Sequence, residues 1–224
     1  MKRPWDRYTY CQVFENLRDE QLASPMEAYM KHNFPFLGIK SPARNEALKN
    51  YFAEHEIPEK QQLFKEVWEI YQLPEREYQY VAIALLSKKI KALTFEDLSF
   101  IEKLITEKSW WDSVDSIAPS IVGEIVKKDR PNGEKVMRLW SDSDNMWLNR
   151  SAILHQLKYK NETNENILEE IILNHAESNE FFIQKAIGWA LREYAKTNPV
   201  FVQQFVEVNE LKPLSKREAL KHFK

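Results

Sequence analysis

Glycine is scarce in this chain of 224 residues: only four occur, Gly38, Gly123, Gly133 and Gly188, each alone. Neither a dinucleotide-binding G-x-G-x-x-G nor a phosphate-binding G-x-x-x-x-G-K-[ST] can be written with them, and hairpin-rich β architectures lack their turn residues. The single cysteine, Cys11, permits no internal disulfide. Histidines 32, 55, 155, 175 and 222 are never three or four apart, so with one cysteine they assemble no zinc site by local spacing; neither metal nor cofactor is expected. No run approaches the roughly 18 apolar residues of a membrane helix, and the opening Met-Lys-Arg-Pro-Trp-Asp leads into no secretory segment, so no membrane partner is expected and the address is cytoplasmic by default. With 43% apolar residues the chain can bury a sizeable core. A net charge of −2 gives no global basic field, so a polyanion would have to meet locally clustered Lys and Arg.

Strictly alternating strand patterns are nearly absent as well, and helical periodicity, interrupted by Pro, Asn or Ser/Thr, fills the sequence. The spacing predicts helices near 7–23, 25–33, 42–54, 59–72, 76–92, 95–107, 110–128, 133–141, 145–159, 164–177, 180–196, 199–208 and 216–223. Ser24-Pro25-Met26-Glu27 reads as an N-cap, a first-position proline and a glutamate returning to the backbone; the runs from Thr94, Ser109 and Ser215 repeat the device. So many helices with such short connections predict an all-α fold of antiparallel helix-pair repeats. These would stack into a curved solenoid with a concave groove, as one domain over 1–224.

On a helical wheel, Ile183, Ala186, Ile187, Ala190, Leu191 and Tyr194 form one core arc. Lys185, Trp189, Arg192 and Lys196 fall on the opposite side, placing an indole between three cations. Either a neighbouring helix covers the tryptophan while the basic residues snorkel around it, or the face serves phosphates and a base or sugar. In the 110–128 helix, Trp111 and Asp115 project together one turn apart. Asp112 reads as a cap partner of Ser109, whereas Asp115 has no such duty, and Pro119 cannot donate to its carbonyl, so the helix is kinked or interrupted there. Arg150 lies within the apolar arc of Met146, Trp147, Ile153, Leu154 and Leu157 and needs a carboxylate; if that partner is Asp115, the acid is held ionised and oriented. The tail carries Lys212, Lys216, Arg217, Lys221 and Lys224 against Glu218, and either reaches a phosphate backbone or is simply solvated.

Phe36-Leu-Gly-Ile-Lys-Ser-Pro-Ala-Arg44, then Ser109-Trp-Trp-Asp-Ser-Val-Asp115, then Asn149-Arg150, then Gly188-Trp-Ala-Leu-Arg-Glu-Tyr194, in that order, resemble the AlkD-type DNA alkylation repair glycosylases over essentially the whole chain. The resemblance implies HEAT-like helical repeats around a groove for duplex DNA, and hydrolysis of the N-glycosidic bond of cationic bases such as 3-methyladenine and 7-methylguanine. It implies Asp115 as the catalytic carboxylate, Trp111 and Trp189 as aromatics flanking the damaged nucleotide, and Arg150 as the orienting, DNA-contacting arginine. Arg192 and Tyr29 would belong to the same groove, joined by Lys185 and Lys196 from the wheel.

An alkylated purine already carries positive charge and leaves as a neutral base, so one ionised acid that stabilises a sugar turning cationic suffices. Indole faces add roughly 0.5 to 2 kcal/mol of cation–π attraction that an undamaged base does not receive. No lysine stands out as a Schiff-base nucleophile, so hydrolysis without strand cleavage is expected, by a monomer acting on duplex DNA. The rival reading is a non-enzymatic helical-repeat module that binds DNA or protein, with the same tryptophans as anchors.

Overall fold

The structure, a computed structural model, describes residues 1–223 of the chain; Lys224 of the basic tail lies outside the described residues. Among the described residues there is no strand, only an isolated bridge between Arg3 and His55. The all-α expectation holds. The chain divides into two compact units, Met1–Ala92 and Leu93–Lys224.

The first unit holds α1 (Arg7–Glu15), α2 (Glu20–Tyr29), α3 (Ser41–Glu54), α4 (Lys60–Tyr71) and α5 (Arg76–Ser87). Tyr10 of α1 is fully buried against Trp5, Phe14 and Tyr51, and its hydroxyl donates to the Val81 carbonyl at 2.9 Å. The Phe36–Arg44 motif is folded around one carboxylate. Glu77, fully buried in α5, accepts from the backbone N–H groups of Leu37, Gly38 and Ile39, each at 2.9 Å. Gly38 sits at φ +88°, where a side chain would strike the Asp19 carbonyl oxygen at 2.0 Å, so only glycine lets the loop close on Glu77.

The second unit holds α6 (Leu98–Thr106), α7 (Trp111–Ile117), α8 (Gly123–Lys128), α9 (Arg130–Ser141), α10 (Met146–Leu154), α11 (Glu165–Asn174), α12 (Phe181–Tyr194), α13 (Pro199–Val208) and α14 (Pro213–Ala219). Within it α9 packs on α10 and on α11, and α10 touches both α7 and α12, which in turn packs closely on α14. One layer therefore runs α7, α10, α12, α14.

A chemical repeat links the helix pairs although their sequences scarcely match. In α5 the Gln79 amide donates to the Tyr71 and Leu73 carbonyls at 2.7 and 2.9 Å, closing the end of α4. In α10 the Asn149 amide does the same for α9, reaching Ser141 at 3.1 Å and Ser143 at 2.8 Å, and Trp140 as well. In α12 Gln184 donates to Ser178, just beyond α11, at 3.1 Å. In the first two pairs the second helix satisfies carbonyls at the end of the first that have no intrahelical donor, and in all three it ties down the connection between them.

Three expected helix starts are corrected. Helix α2 begins at Glu20, because Asp19 accepts from the N–H groups of Gln21 and Leu22; Pro25 lies inside it instead of opening a helix. Helix α7 is capped by Trp110 without a side-chain bond, because the Ser109 hydroxyl donates backwards to the Ile105 carbonyl at 2.7 Å. The Ser109–Asp112 cap is therefore not formed. Ser215 is buried inside α14, whose proline-led start is Pro213. The box at Thr94 does form, with Thr94 N–H donating to Asp97 at 2.7 Å, but it opens a short 3-10 turn. The interruption expected beside Pro119 is a π-helical segment, Ala118–Val122, between α7 and α8.

Candidate active site

Asp115 opens the second turn of α7, where Pro119 supplies no N–H to its backbone carbonyl and the helix widens into the π segment. Arg150, from the middle of α10, meets it with two parallel bonds: Nε donates to Oδ1 at 2.7 Å and Nη2 to Oδ2 at 2.8 Å. The remaining arm, Nη1, donates to the carbonyl of Phe182 in the first turn of α12. The guanidinium is thereby fixed from three helices, and its side chain is 5% exposed while that of Asp115 keeps 17%. A buried arginine with a bidentate partner is the arrangement that the apolar wheel of α10 demands.

Burial raises the Asp115 carboxyl above its usual range; Arg150 opposes this through its hydrogen bonds and charge, and Asp112, one turn closer to the helix start, adds to the rise. The structure thus qualifies the expectation that Arg150 simply holds the acid ionised: desolvation outweighs the pair, and the carboxylate form depends on that fork.

The floor beside the pair is aromatic. The rings of Trp110, Trp147 and Phe182 pack mutually at centroid distances of 5.8, 5.2 and 5.1 Å, and Phe182 also lies 5.9 Å from the Arg150 guanidinium. Trp111 is half-buried in the first turn of α7, one turn before Asp115. Trp189, also half-buried, stands seven residues beyond Phe182 on α12, on nearly the same helix face and about 10 Å along the axis.

Lys185 and Arg192 flank Trp189 as the wheel indicates, but they do not point freely outward. Both bond Glu218 of α14, at 3.1 and 2.7 Å, and Lys221 joins them at 2.7 Å. Lys221, followed by Lys185 and Arg192, holds the Glu218 carboxyl down at about 2 against the opposing effect of burial. Lys196 stands apart, exposed and paired with Glu193 at 2.6 Å, on the rim of a cavity of about 390 Å³ that Gln156 and Tyr194 also line. Tyr29 belongs to the first unit, 69% exposed at the end of α2, where it lines a cavity of about 430 Å³ with Met26, Lys40, Arg44 and Tyr80.

Two participants escape sequence reading. Phe182 enters through its backbone carbonyl, which no side-chain pattern encodes. Glu218 enters from another helix, although its place among the basic residues of the tail was the available signal.

The family described as "DNA alkylation repair enzyme" matches residues 11–223. The chain belongs to that family. A solved structure described as a predicted DNA alkylation repair enzyme from Enterococcus faecalis is 37% identical, covers 92% of this chain and 96% of its own, and superimposes with a TM-score of 0.85. Two more distant structures share the fold. AlkD2 from Streptococcus mutans has 18% identity, 82% and 90% coverage and a TM-score of 0.62. The protein smu.31 from Streptococcus mutans UA159 has 17% identity, 96% and 98% coverage and a TM-score of 0.64. No curated protein matches the chain. As a member of a DNA alkylation repair family the protein has DNA as its target, and its helix-pair fold is the one those structures share. Among the described residues no helix is long and apolar enough to cross a membrane.

Proposed function

We propose that the protein is a monofunctional DNA glycosylase that hydrolyses the N-glycosidic bond of cationic N-alkylated purines, of the 3-methyladenine and 7-methylguanine type, in duplex DNA. The observation that carries this reading is the Arg150–Asp115 fork: a mostly buried carboxylate whose two oxygens are fixed in orientation, yet which retains 17% exposure at the site. As the bond to the damaged base lengthens, the deoxyribose gains positive charge. A fixed, poorly solvated Asp115 stabilises that charge without reorganising and aligns a water for attack. The base departs neutral and needs no proton.

Trp111 and Trp189 offer ring faces to the cationic nucleotide, so selectivity follows the lesion's charge. Lys185, Arg192, Lys196 and Tyr29 are assigned to the DNA backbone and its surroundings. In this reading the chain works as one domain over 1–224, as a cytoplasmic monomer with neither metal nor cofactor.

The deciding experiment incubates the intact protein with duplex DNA methylated by an alkylating agent and follows free base by chromatography. Release of methylated purines with uncleaved strands supports the reading. Binding of the same duplex with no release over hours makes the protein a non-enzymatic DNA-binding module instead.

A further inference from the structure

Gly188 sets the closest approach of α12 and α14. A Cβ there would lie 2.3 Å from the Glu218 Cβ and 3.0 Å from the Ser215 carbonyl oxygen, so α14 rests on bare helix backbone. Residues three before and four after a helical position share its face, and these are Lys185 and Arg192. The glycine therefore seats Glu218 between two cations. Lys185 Nζ lies 3.1 Å from Oε1, and Arg192 Nη1 donates to Oε2 at 2.7 Å and to the Glu218 backbone carbonyl at 3.3 Å. Lys221, one turn past Glu218, donates to Oε1 at 2.7 Å.

The stoichiometry is wrong for a simple staple between helices, which needs one cation per acid. Three cations against one carboxylate leave two positive charges in one place. The acid side chain is only 6% exposed, whereas Lys185, Arg192 and Lys221 are 37%, 26% and 50% exposed. The negative charge is hidden beneath its partners, and the outer surface is cationic. Each ammonium carries three N–H donors and gives Glu218 one. The same face of α12 presents Trp189, between Lys185 and Arg192 in the helical register.

We propose that Lys185, Arg192 and Lys221, gathered on Glu218, form a single site for a backbone phosphate of the DNA, with Glu218 as its positioning residue. This rests on the DNA-repair reading given above, and adds to it Lys221 and Glu218. Three long side chains would ordinarily lose much rotamer freedom on meeting one phosphate; held beforehand on a common carboxylate, they lose less. Because the site shares α12 with Trp189 and with the Phe182 carbonyl that holds Arg150, it fixes the strand relative to the acid.

The test measures binding of a fluorescent duplex oligonucleotide over a salt series, with melting curves confirming that each variant is folded. Lys221→Ala should weaken binding several-fold and reduce the slope of log K against log salt by about 0.9, the signature of one lost phosphate contact. Lys221→Arg should restore both. In a Glu218→Gln background, Lys221→Ala should cost less than in the intact protein, because the ammonium is no longer held in place. If Lys221→Ala leaves affinity and slope unchanged in a protein that binds duplex and releases methylated base, the phosphate site is overturned and the glycosylase reading stands. If the intact protein binds no duplex, both fall. The Lys221 variants decide the matter even should Glu218→Gln not fold.

Discussion

Arg150 and Asp115 meet through both guanidinium N–H groups of one edge, at 2.7 and 2.8 Å, while the third arm of Arg150 is spent on the Phe182 carbonyl. Orientation is therefore set on both partners at once. Lysine carries charge to the same place but cannot supply a planar fork. Arg150→Lys should leave the fold intact and reduce base release about 100-fold, the scale expected when a reacting group is displaced by about 1 Å. Single-turnover kinetics on methylated duplex, with melting curves alongside, check this; an unchanged rate would mean that the fork does not position the acid.

The pH dependence follows from the surroundings of Asp115. Burial and Asp112 both raise its carboxyl, and activity requires the ionised form, so the rate should fall on the acid side at a pH above the ordinary carboxylate range. Removing the like charge with Asp112→Asn favours ionisation and should move that acid limb to lower pH. Single-turnover rates against pH for the two proteins provide the comparison, with a limb that stays in place or moves upward as the contrary result.

A second titration concerns stability alone. His155 is buried in the second unit, with Nδ1 2.6 Å from the Ala152 carbonyl, and burial lowers its pKa from 6.5 to about 4. Between those values the unfolded chain binds the proton and the folded chain does not. The contribution is therefore complete above pH 6.5, is lost as pH falls toward about 4, and amounts to about 3 kcal/mol. His155→Asn retains an amide for the Ala152 carbonyl but no titrating group. Its unfolding free energy should vary less steeply across that window than that of the intact protein, as urea titrations at several pH values can determine; equal slopes would contradict the account.

The Asn149 amide, which closes the α9–α10 pair, carries a measurable share of stability. Asn149→Ala deprives the carbonyls of Trp140, Ser141 and Ser143 of a common donor in a buried place and should cost about 1 to 3 kcal/mol, lowering the melting midpoint by several degrees. Calorimetry would reveal a loss confined to a few tenths of a kcal/mol if solvent replaced the amide.

Much of this was written plainly in the sequence. The period and the prolines specify helices, and Pro119 announces the break that lies beside Asp115. Arg150 stands in an apolar arc, which demanded a buried carboxylate, and Asp115 was the acid without another duty. What stayed hidden has a common cause: competition between bonds that lie close in free energy, or partners on other helices. Ser109 has the form of an N-cap, yet its hydroxyl turns back to the helix it follows, and Asp19 rather than Ser24 takes the start of α2. The wheel of α12 rightly groups Lys185, Trp189 and Arg192, but a wheel holds one helix, so Glu218 on α14 is invisible to it. Gln79, Asn149 and Gln184 differ too much in context to betray a repeat by identity, although they perform the same bonding.

The carboxylate of Asp115 carries the proposed chemistry, and Asp115→Asn tests it most directly because the amide keeps the shape and part of the hydrogen bonding to Arg150 while removing the charge. Base release from methylated duplex under single-turnover conditions should fall at least about 100-fold, a loss of some 3 kcal/mol of electrostatic stabilisation, with duplex affinity essentially retained. Release at the intact protein's rate by a folded, DNA-binding Asp115→Asn variant would contradict it.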